Sequence, residues 1–249
     1  MNKRLAVVVM VLSIPVVWSV AVKALGLPSF ILPPPGLVLT ALRDESSYLL
    51  QHTQITLNEA LMGYLVANAI SISLALSFLY CSPLENFATP WLIFIRNIPF
   101  VTVSSILVIT MGDSPASKLV IVILMTFYPI LANLSKGLKS VKPVLLDRMQ
   151  VLHASRWQIF RHIRLPSALP YFVAAHEISF TGSIVAAIVS EYMFSRKGLG
   201  YVILYSMAQY RADILYAATL ICCSLSIGAY LTVKLIESRI FAWKRDLRD

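Results

Sequence analysis

The sequence offers few side chains whose types and spacing could do chemistry on a bound molecule. His176 and Glu177 begin like the zinc-binding pattern H-E-x-x-H, but no second histidine follows. The other histidines are scattered, at His52, His153 and His162. There is neither a G-x-S-x-G nucleophile turn nor a G-x-x-x-x-G-K-[ST] phosphate loop. The chain is therefore predicted to be no enzyme and to hold no metal or cofactor, and any ATP must be hydrolysed by another subunit.

Three charged residues stand out because they lie inside strongly apolar stretches, where a charge is costly and needs a reason. Arg96 could attract an anionic solute, or it could extend to the membrane surface or pair with an acid. Glu191 precedes Arg196 and Lys197, so it either contributes to a gate or forms a structural ion pair. Glu177 is expected to be solvated or paired with a basic residue.

A short basic segment, VLHASRWQIFRHIRLPSALP at 151–170, interrupts the apolar sequence. Ser155 and Gln158 fit a capping box, which predicts that a helix starts there, and Pro166 predicts that it ends near Leu165. A second short helix is predicted over 144–152. We call residues 144–164 the elbow. Composition leaves two interpretations open, since such a segment either docks on a protein or lies among anionic lipid headgroups.

These residues must be positioned by elements that suit a membrane. The 249 residues are 58% hydrophobic and 13% charged, with a mean hydropathy of +0.76. Apolar runs recur at the length of about 20 residues that crosses a bilayer, and such unbroken runs favour helices over a barrel. Six spans are predicted, at roughly 5–25, 57–80, 88–111, 116–135, 170–193 and 213–236. The predicted fold class is an all-α polytopic membrane protein with about six transmembrane helices and the elbow between spans four and five.

The distribution of basic residues predicts the orientation. Two thirds of the 21 lysines and arginines fall in segments that are cytoplasmic if the N-terminus is inside. Both termini are therefore predicted to be cytoplasmic, and the net charge of +9 needs no nucleic acid to explain it. Lys3 and Arg4 could begin a signal peptide, but no A-x-A site follows, so a retained first helix is expected. Cys81, Cys222 and Cys223 form no disulfide framework.

The organisation along the chain is simple. One domain is predicted over 1–249, with a core at about 55–236, an N-terminal span at 5–25 and no obvious internal repeat. Residues 26–56 form an external connector. Its proline run at 33–35 excludes a helix, whereas 36–52 is predicted to be a short amphipathic helix along the outer face.

The elbow resembles the cytoplasmic EAA signature of permeases from ATP-binding-cassette (ABC) importers, Glu-Ala-Ala, three residues, Gly, nine residues, Ile, one residue, Leu-Pro. Asp147 stands at the glutamate, and Arg148 and Met149 replace the alanines. His153 stands at the turn glycine, where a positive φ suits glycine better than histidine. The resemblance implies that this loop is a coupling helix that docks on an ATPase, and the residues assigned to coupling are Asp147, Arg148, His153, Ala154, Ser155, Ile163, Leu165 and Pro166.

A second match lies after the fifth span, in AAIVSEYMFSRKGLGYVI. Glu191 and the segment Gly198, Leu199, Gly200 resemble the family's glutamate and Gly-Leu-Gly-Tyr sequence, and the resemblance implies a gate or a contact with a periplasmic binding protein. It extends upstream through LPSFILPPPGLVLTAL and IRNIPFVTVSSILVITMGDSPASKLV, so it covers nearly the whole chain. Arg96 lies within this upstream match and is the candidate for the solute path.

The resemblance is greatest to the permeases that import sulfonates, taurine, nitrate or thiamine-pyrimidine precursors. It implies a multi-pass protein of the bacterial inner membrane that moves a small solute inward by alternating access. It also implies three partners: cytoplasmic ABC ATPase subunits that hold the ATP and Mg, an extracytoplasmic solute-binding protein, and a second permease copy in a homodimer. This chain itself holds no cofactor.

Two other function classes remain as alternatives. An ion-coupled secondary transporter predicts internal repeats, helices broken at matching positions and buried acids, and the sequence shows no such symmetry and few acids. A non-transporting membrane scaffold, whose elbow binds lipid or another protein, is not excluded by sequence. An intramembrane enzyme is the weakest alternative, because no nucleophile and base occur at a suitable spacing.

Overall fold

The structure is a computed structural model that describes the backbone of residues 3–240 and the side chains of residues 13–240. Within that range all regular structure is helical, which confirms the predicted fold class. The helices are α1 (Lys3–Leu25), α2 (Pro35–Asp44), α3 (Ser46–Tyr80), α4 (Ser82–Asn97), α5 (Phe100–Met111), α6 (Pro115–Lys139), α7 (Pro143–Val151), α8 (Arg156–Ile159), α9 (Leu165–Phe194), α10 (Leu199–Ala208) and α11 (Ala212–Ile240). A π-helical turn, Phe160–Arg164, joins α8 to α9. The side chains of Lys3 and Arg4 and the basic C-terminal residues 244–248 lie outside the described part.

The polytopic architecture follows from helices long and apolar enough to cross a bilayer. Four such helices occur among the described residues: α3, α6, the continuous helix from Arg156 to Phe194, and α11. A fifth is counted if the bent pair α4 and α5 forms one span. The first predicted span coincides with α1, of which only the apolar part Ser13–Leu25 has described side chains.

The centre of the protein is formed by α3, α6 and α9, which pack closely because small residues line their contacts. A Cβ atom added to Gly63 on α3 would lie 2.5 Å from Cγ1 of Val122 on α6. A Cβ at Gly137 on α6 would lie 2.9 Å from Cα of Ala168 on α9. Both glycines therefore let neighbouring helix backbones approach more closely than any larger residue would allow.

The third predicted span, 88–111, is wrong as a single continuous helix. The chain breaks between α4 and α5, which meet at an angle of 90°. Ile98 adopts an extended conformation (φ −69°, ψ 127°) before Pro99, as expected where the proline ring disfavours helix in the preceding residue. Pro99 also lacks an N–H, so it cannot donate the helical hydrogen bond to the carbonyl of Ile95.

The outer connector also differs from its prediction. The amphipathic helix expected over 36–52 ends at Asp44, and Ser46 already begins the 35-residue α3. Pro35 occupies the first turn of α2, where a missing N–H costs nothing. Val38 and Ala41 of α2 are buried against α10 and α11. The connector therefore packs onto the outer end of the helix bundle.

Candidate functional site

The elbow consists of two short helices and a tight turn. The predicted helix over 144–152 is confirmed by α7, and the predicted capping box is present. The Gln158 backbone N–H donates to Oγ of Ser155 (3.3 Å), and the Ser155 N–H donates to Oε1 of Gln158 (2.7 Å). These reciprocal bonds satisfy donors that would otherwise be unpaired at the start of α8.

The turn between the two helices is made at His153, which has a φ of +50°. The Ala154 N–H donates to the carbonyl of Met149 (2.9 Å), and this bond closes the turn. The histidine therefore adopts the positive φ that would suit the glycine of the EAA signature at this position. A β-carbon in this region costs roughly 1 to 2 kcal/mol, which glycine would avoid.

The predicted helix end near Leu165 is wrong, because Pro166 is accommodated rather than terminating. The Leu165 N–H donates to the carbonyl of Phe160, five residues back, in the π-helical turn. This wider turn makes room for a proline ring that would otherwise clash with a carbonyl four residues earlier. Arg164 also donates from Nη1 to the carbonyl of Leu138 (3.0 Å) at the end of α6. The elbow is therefore continuous with the membrane helix α9.

The elbow presents apolar and charged side chains to its surroundings. Val151, Leu152 and Trp157 are 78%, 73% and 63% exposed. Asp147 and Arg148 are exposed and form no ion pair among the described residues. Of the other residues assigned to coupling, Ala154 and Ile163 are half-buried, whereas His153, Ser155, Leu165 and Pro166 are exposed. An exposed apolar cluster with unpaired charges beside it is a surface suited to a partner.

The second motif region lies at the opposite end of α9 and is buried. Glu191 is 0% exposed, and its Oε2 accepts hydrogen bonds from Oγ1 of Thr56 (2.9 Å) and from the Gly200 N–H (2.9 Å). The Leu199 N–H donates to the same Thr56 oxygen (2.9 Å), and the Gly198 N–H donates to Nδ1 of His52 (2.8 Å). These bonds fix the Gly-Leu-Gly segment to α3 and α9.

Glycine is required at both ends of this segment by close approach. Gly198 has a φ of +95°, and a Cβ there would lie 2.1 Å from Cδ of Glu191. A Cβ at Gly200 would lie 2.1 Å from the carbonyl oxygen of Ile188. The glycines thus leave the space that Glu191 and the α9 backbone occupy.

A buried lysine extends the network toward α6. Nζ of Lys118 forms ion pairs with Glu59 (3.2 Å) and Asp113 (3.2 Å), and it donates to Oγ of Ser195 (2.7 Å). The Arg196 N–H donates to Oδ2 of Asp113 (3.0 Å). We call the side chains of His52, Thr56, Glu59, Asp113, Lys118, Glu191 and Ser195, with the segment 198–200, the outer network.

Sequence reasoning missed most of the outer network. His52, Thr56 and Glu59 recur at intervals of four and three residues, which places them on one face of α3. That polar stripe at helical spacing was the available signal. Glu191 forms no ion pair with Arg196 or Lys197, and its side chain is buried within the chain.

Two carboxyl oxygens in the outer network have no hydrogen-bond partner: Oε2 of Glu59 and Oε1 of Glu191. The other oxygen of each group is bonded, Oε1 of Glu59 to Lys118 and Oε2 of Glu191 to Thr56 and the Gly200 N–H. No group of three or more potential metal ligands occurs among the described residues.

The remaining charged residues that the sequence singled out are separate from these two regions. Glu177 forms an ion pair with Lys234 on α11, which also pairs with Glu237 (2.8 Å). Arg96 donates from Nη1 to the hydroxyl of Tyr128 (3.0 Å) beside the break between α4 and α5. The membrane-embedded charges therefore occupy distinct places in the fold rather than one common site.

Comparison with known proteins identifies relatives of the whole chain. Residues 67–242 match the family described as binding-protein-dependent transport system inner membrane component. A probable ABC transporter permease protein of Haemophilus influenzae is 29% identical over 227 residues, covering 91% of this chain and 92% of the relative.

Other relatives carry the names of transported compounds. The formylaminopyrimidine transport permease ThiX of Halalkalibacterium halodurans is 26% identical, covering 92% of each chain. The riboflavin transport system permease RibX of Chloroflexus aurantiacus is 28% identical, covering 92% of this chain and 86% of the relative. More distant permeases, at 24% identity, are named for aliphatic sulfonates and taurine.

Proposed function

The chain belongs to the family of inner membrane components of binding-protein-dependent transport systems, and on this premise we propose that it carries a small solute inward by alternating access. It is a multi-pass, non-catalytic transport subunit, and its family implies that an ATPase and a binding protein work with it. We propose further that both termini are cytoplasmic, that residues 1–249 form one transmembrane domain, and that two copies form a homodimer around the pathway.

One observation carries the proposal: the exposed elbow is continuous with a helix that ends in the outer network. α9 has 30 residues and is therefore about 45 Å long, and Glu191 lies near its far end. A cytoplasmic ATPase that binds Leu152 and Trp157 would displace the whole of α9 when it changes conformation. The displacement would then reach the outer segment 198–200, which is hydrogen-bonded to Glu191 and α3.

The solute is proposed to be of the sulfonate, nitrate, taurine or pyrimidine-precursor type. Support comes from relatives named for formylaminopyrimidine, aliphatic sulfonates and taurine. Another relative is named for riboflavin, so the names of the relatives cover chemically different compounds. At identities of 24–29% these names define a range of small polar solutes rather than one compound.

A second candidate, an ion-coupled secondary transporter, is favoured by two structural features. The span formed by α4 and α5 is broken, and Glu59 and Glu191 each have a buried carboxyl oxygen without a hydrogen-bond partner. Such a carrier works without an ATPase. The two candidates therefore differ in whether an ATPase accompanies the chain.

The test is affinity purification of the tagged chain from its native membranes, followed by an assay of ATP hydrolysis. We expect ATPase activity to copurify with the wild type and to be lost when Leu152→Glu and Trp157→Glu are combined. The matched control is Phe30→Glu, an equally drastic change at an exposed position of the outer connector, which should retain the activity.

Size-exclusion profiles of all three proteins establish that the variants remain folded. If no ATPase accompanies the wild type, the importer proposal fails and the secondary transporter or scaffold takes its place. If ATPase activity copurifies equally with the elbow variant, the elbow is not the docking surface.

A further inference from the structure

A cavity of about 450 Å³ opens where α4 meets α5 and faces α6. Its size falls within the range of roughly 300 to 1,000 Å³ that is usual for small-molecule sites. Apolar side chains form most of its wall, and Arg96 and Tyr128 supply the polar groups. Its lining includes Arg96, Phe100, Val103, Leu124 and Tyr128.

The cavity lies deep in the membrane. Tyr128 is 13 residues after Pro115 and 11 residues before Lys139, the two ends of α6. At about 1.5 Å per residue it is therefore roughly 20 Å and 17 Å from the helix ends. The guanidinium of Arg96 is held at this depth, because it donates to the Tyr128 hydroxyl (3.0 Å) and lies 4.8 Å from the centre of the ring.

The charge of Arg96 has no acidic partner, unlike two other basic residues of the spans. Lys118 pairs with Glu59, and Lys234 pairs with Glu177. No described Asp or Glu forms an ion pair with Arg96. A guanidinium at mid-membrane depth without a counter-charge is costly, so an anion that neutralises it would bind favourably. The Arg96 side chain does not extend to the membrane surface.

We propose that this cavity binds a small organic monoanion with a flat apolar body and a carboxylate or sulfonate group. The anionic group contacts the Arg96 guanidinium and the Tyr128 hydroxyl, both of which donate hydrogen bonds to oxygen. The body packs between Phe100, Val103 and Leu124. One guanidinium among apolar walls matches a single negative charge, since nothing else there would solvate a second. The inference rests on the proposed function, because the cavity would lie on the path that the solute takes through the membrane.

The experiment measures binding of benzenesulfonate to the purified full chain in nanodiscs of zwitterionic phosphatidylcholine, by saturation-transfer NMR titration. Benzenesulfonamide, which has nearly the same shape and no charge, serves as the matched ligand. We expect Arg96→Gln to weaken benzenesulfonate binding about tenfold or more, because a charge-assisted bidentate contact is lost. Tyr128→Phe should weaken it by about threefold to tenfold, the worth of one hydrogen bond. Both changes should weaken binding of the sulfonamide much less, because its oxygens are neutral and accept weaker hydrogen bonds.

Arg211→Gln is the control variant, since it removes an exposed guanidinium that pairs with Asp213 and Glu45 on the outer face. It should bind benzenesulfonate like the wild type. Equal affinity of the wild type for sulfonate and sulfonamide, or equal affinity of wild type and Arg96→Gln for benzenesulfonate, would overturn the proposal. Loss of binding in nanodiscs of anionic phosphatidylglycerol would show that lipid headgroups occupy the cavity, which also overturns it.

This measurement needs no ATPase. A chain that binds benzenesulfonate through Arg96 but purifies without ATPase activity keeps the anion site and loses the importer proposal. A chain that copurifies with ATPase but shows no preference for the anion keeps the importer proposal and loses the anion site. The two failures are therefore distinguishable.

Discussion

The elbow and the outer network both carry residues that resemble motifs of one family, yet they are built in opposite ways. In the elbow, Ser155 and Gln158 bond to each other, and Ala154 bonds to Met149, five residues away. In the outer network, the Leu199 N–H bonds to Thr56, 143 residues away. Elbow side chains such as Trp157 face outward, whereas Glu191 is fully buried.

The two regions illustrate two different reasons for a sequence motif: packing within the fold and contact with a partner. The outer network is accounted for by the fold, because Gly198 and Gly200 leave room for Glu191 and the α9 backbone. Leu152 and Trp157 stay largely exposed, although Trp157 stacks on Phe160, so they indicate a partner. Damage to the outer network should therefore unfold the protein, while damage to the elbow should leave it folded and uncoupled.

The largest expected effect comes from Gly200→Ala. The added Cβ would lie 2.1 Å from the Ile188 carbonyl oxygen and 2.6 Å from the Tyr192 nitrogen, both backbone atoms that cannot move aside cheaply. We expect a loss of about 3 kcal/mol in the free energy of unfolding, at the upper end of overpacking effects. The measurement is thermal unfolding in detergent, followed by circular dichroism.

Gly228→Ala is the control for this change, because a Cβ at Gly228 meets nothing within 4 Å. It lies in α11, where alanine favours helix over glycine, so no loss of stability is expected. Equal unfolding temperatures for Gly200→Ala and the wild type would show that the segment 198–200 is not tightly packed, and the contrast between the regions would disappear.

Glu191→Ala is expected to have the next largest effect. The truncation leaves the Gly200 N–H buried without an acceptor, which costs about 1 to 3 kcal/mol. Glu191→Gln should cost much less, because its amide oxygen still accepts from Thr56 and Gly200. The same unfolding measurement compares the two variants.

Glu45→Ala provides the matched control at the surface. Glu45 makes a 3.8 Å ion pair with Arg211, and its side chain is 38% exposed, so its loss should change stability very little. If Glu191→Gln is as damaging as Glu191→Ala, the negative charge itself is required, and hydrogen bonding alone does not account for the role of Glu191.

Much of the fold could be predicted from the sequence because local signals and apolar runs agree. The capping box at Ser155 and the run that became α6 depend on residues a few positions apart. The positive φ at His153 followed from the glycine expected there by resemblance. Such features form wherever the surrounding chain allows them.

The errors have physical causes that no local pattern contains. Pro166 was expected to end a helix, but a π-helical turn at Phe160–Arg164 accommodates it. Residues 88–111 were predicted to be one span; Pro99 breaks the helix locally, but the 90° angle depends on how α4 and α5 pack against α6. The pairing of Lys118 with Glu59 joins residues on different helices, and only the tertiary fold brings them together.

The smallest expected effect comes from His153→Gly, and it tests the independence of the elbow most directly. A positive φ costs about 1 kcal/mol in a residue that has a β-carbon. Glycine avoids this cost, so the turn should open less often. We expect the Ala154 amide, which bonds to Met149, to exchange its hydrogen about fivefold more slowly. The unfolding temperature should not change, because the turn is exposed and bonded only to near neighbours.

The control is Tyr210→Gly, the same change at the other described non-glycine residue with positive φ, 56°, on the outer face. It should leave exchange of the Ala154 amide unaltered. A shift in the unfolding temperature with His153→Gly would mean that the elbow is energetically coupled to the bundle even without an ATPase. In that case α9 would transmit strain between the elbow and the outer network even when no ATPase is bound. The two regions could then not be treated as an independent docking surface and an independent packed core.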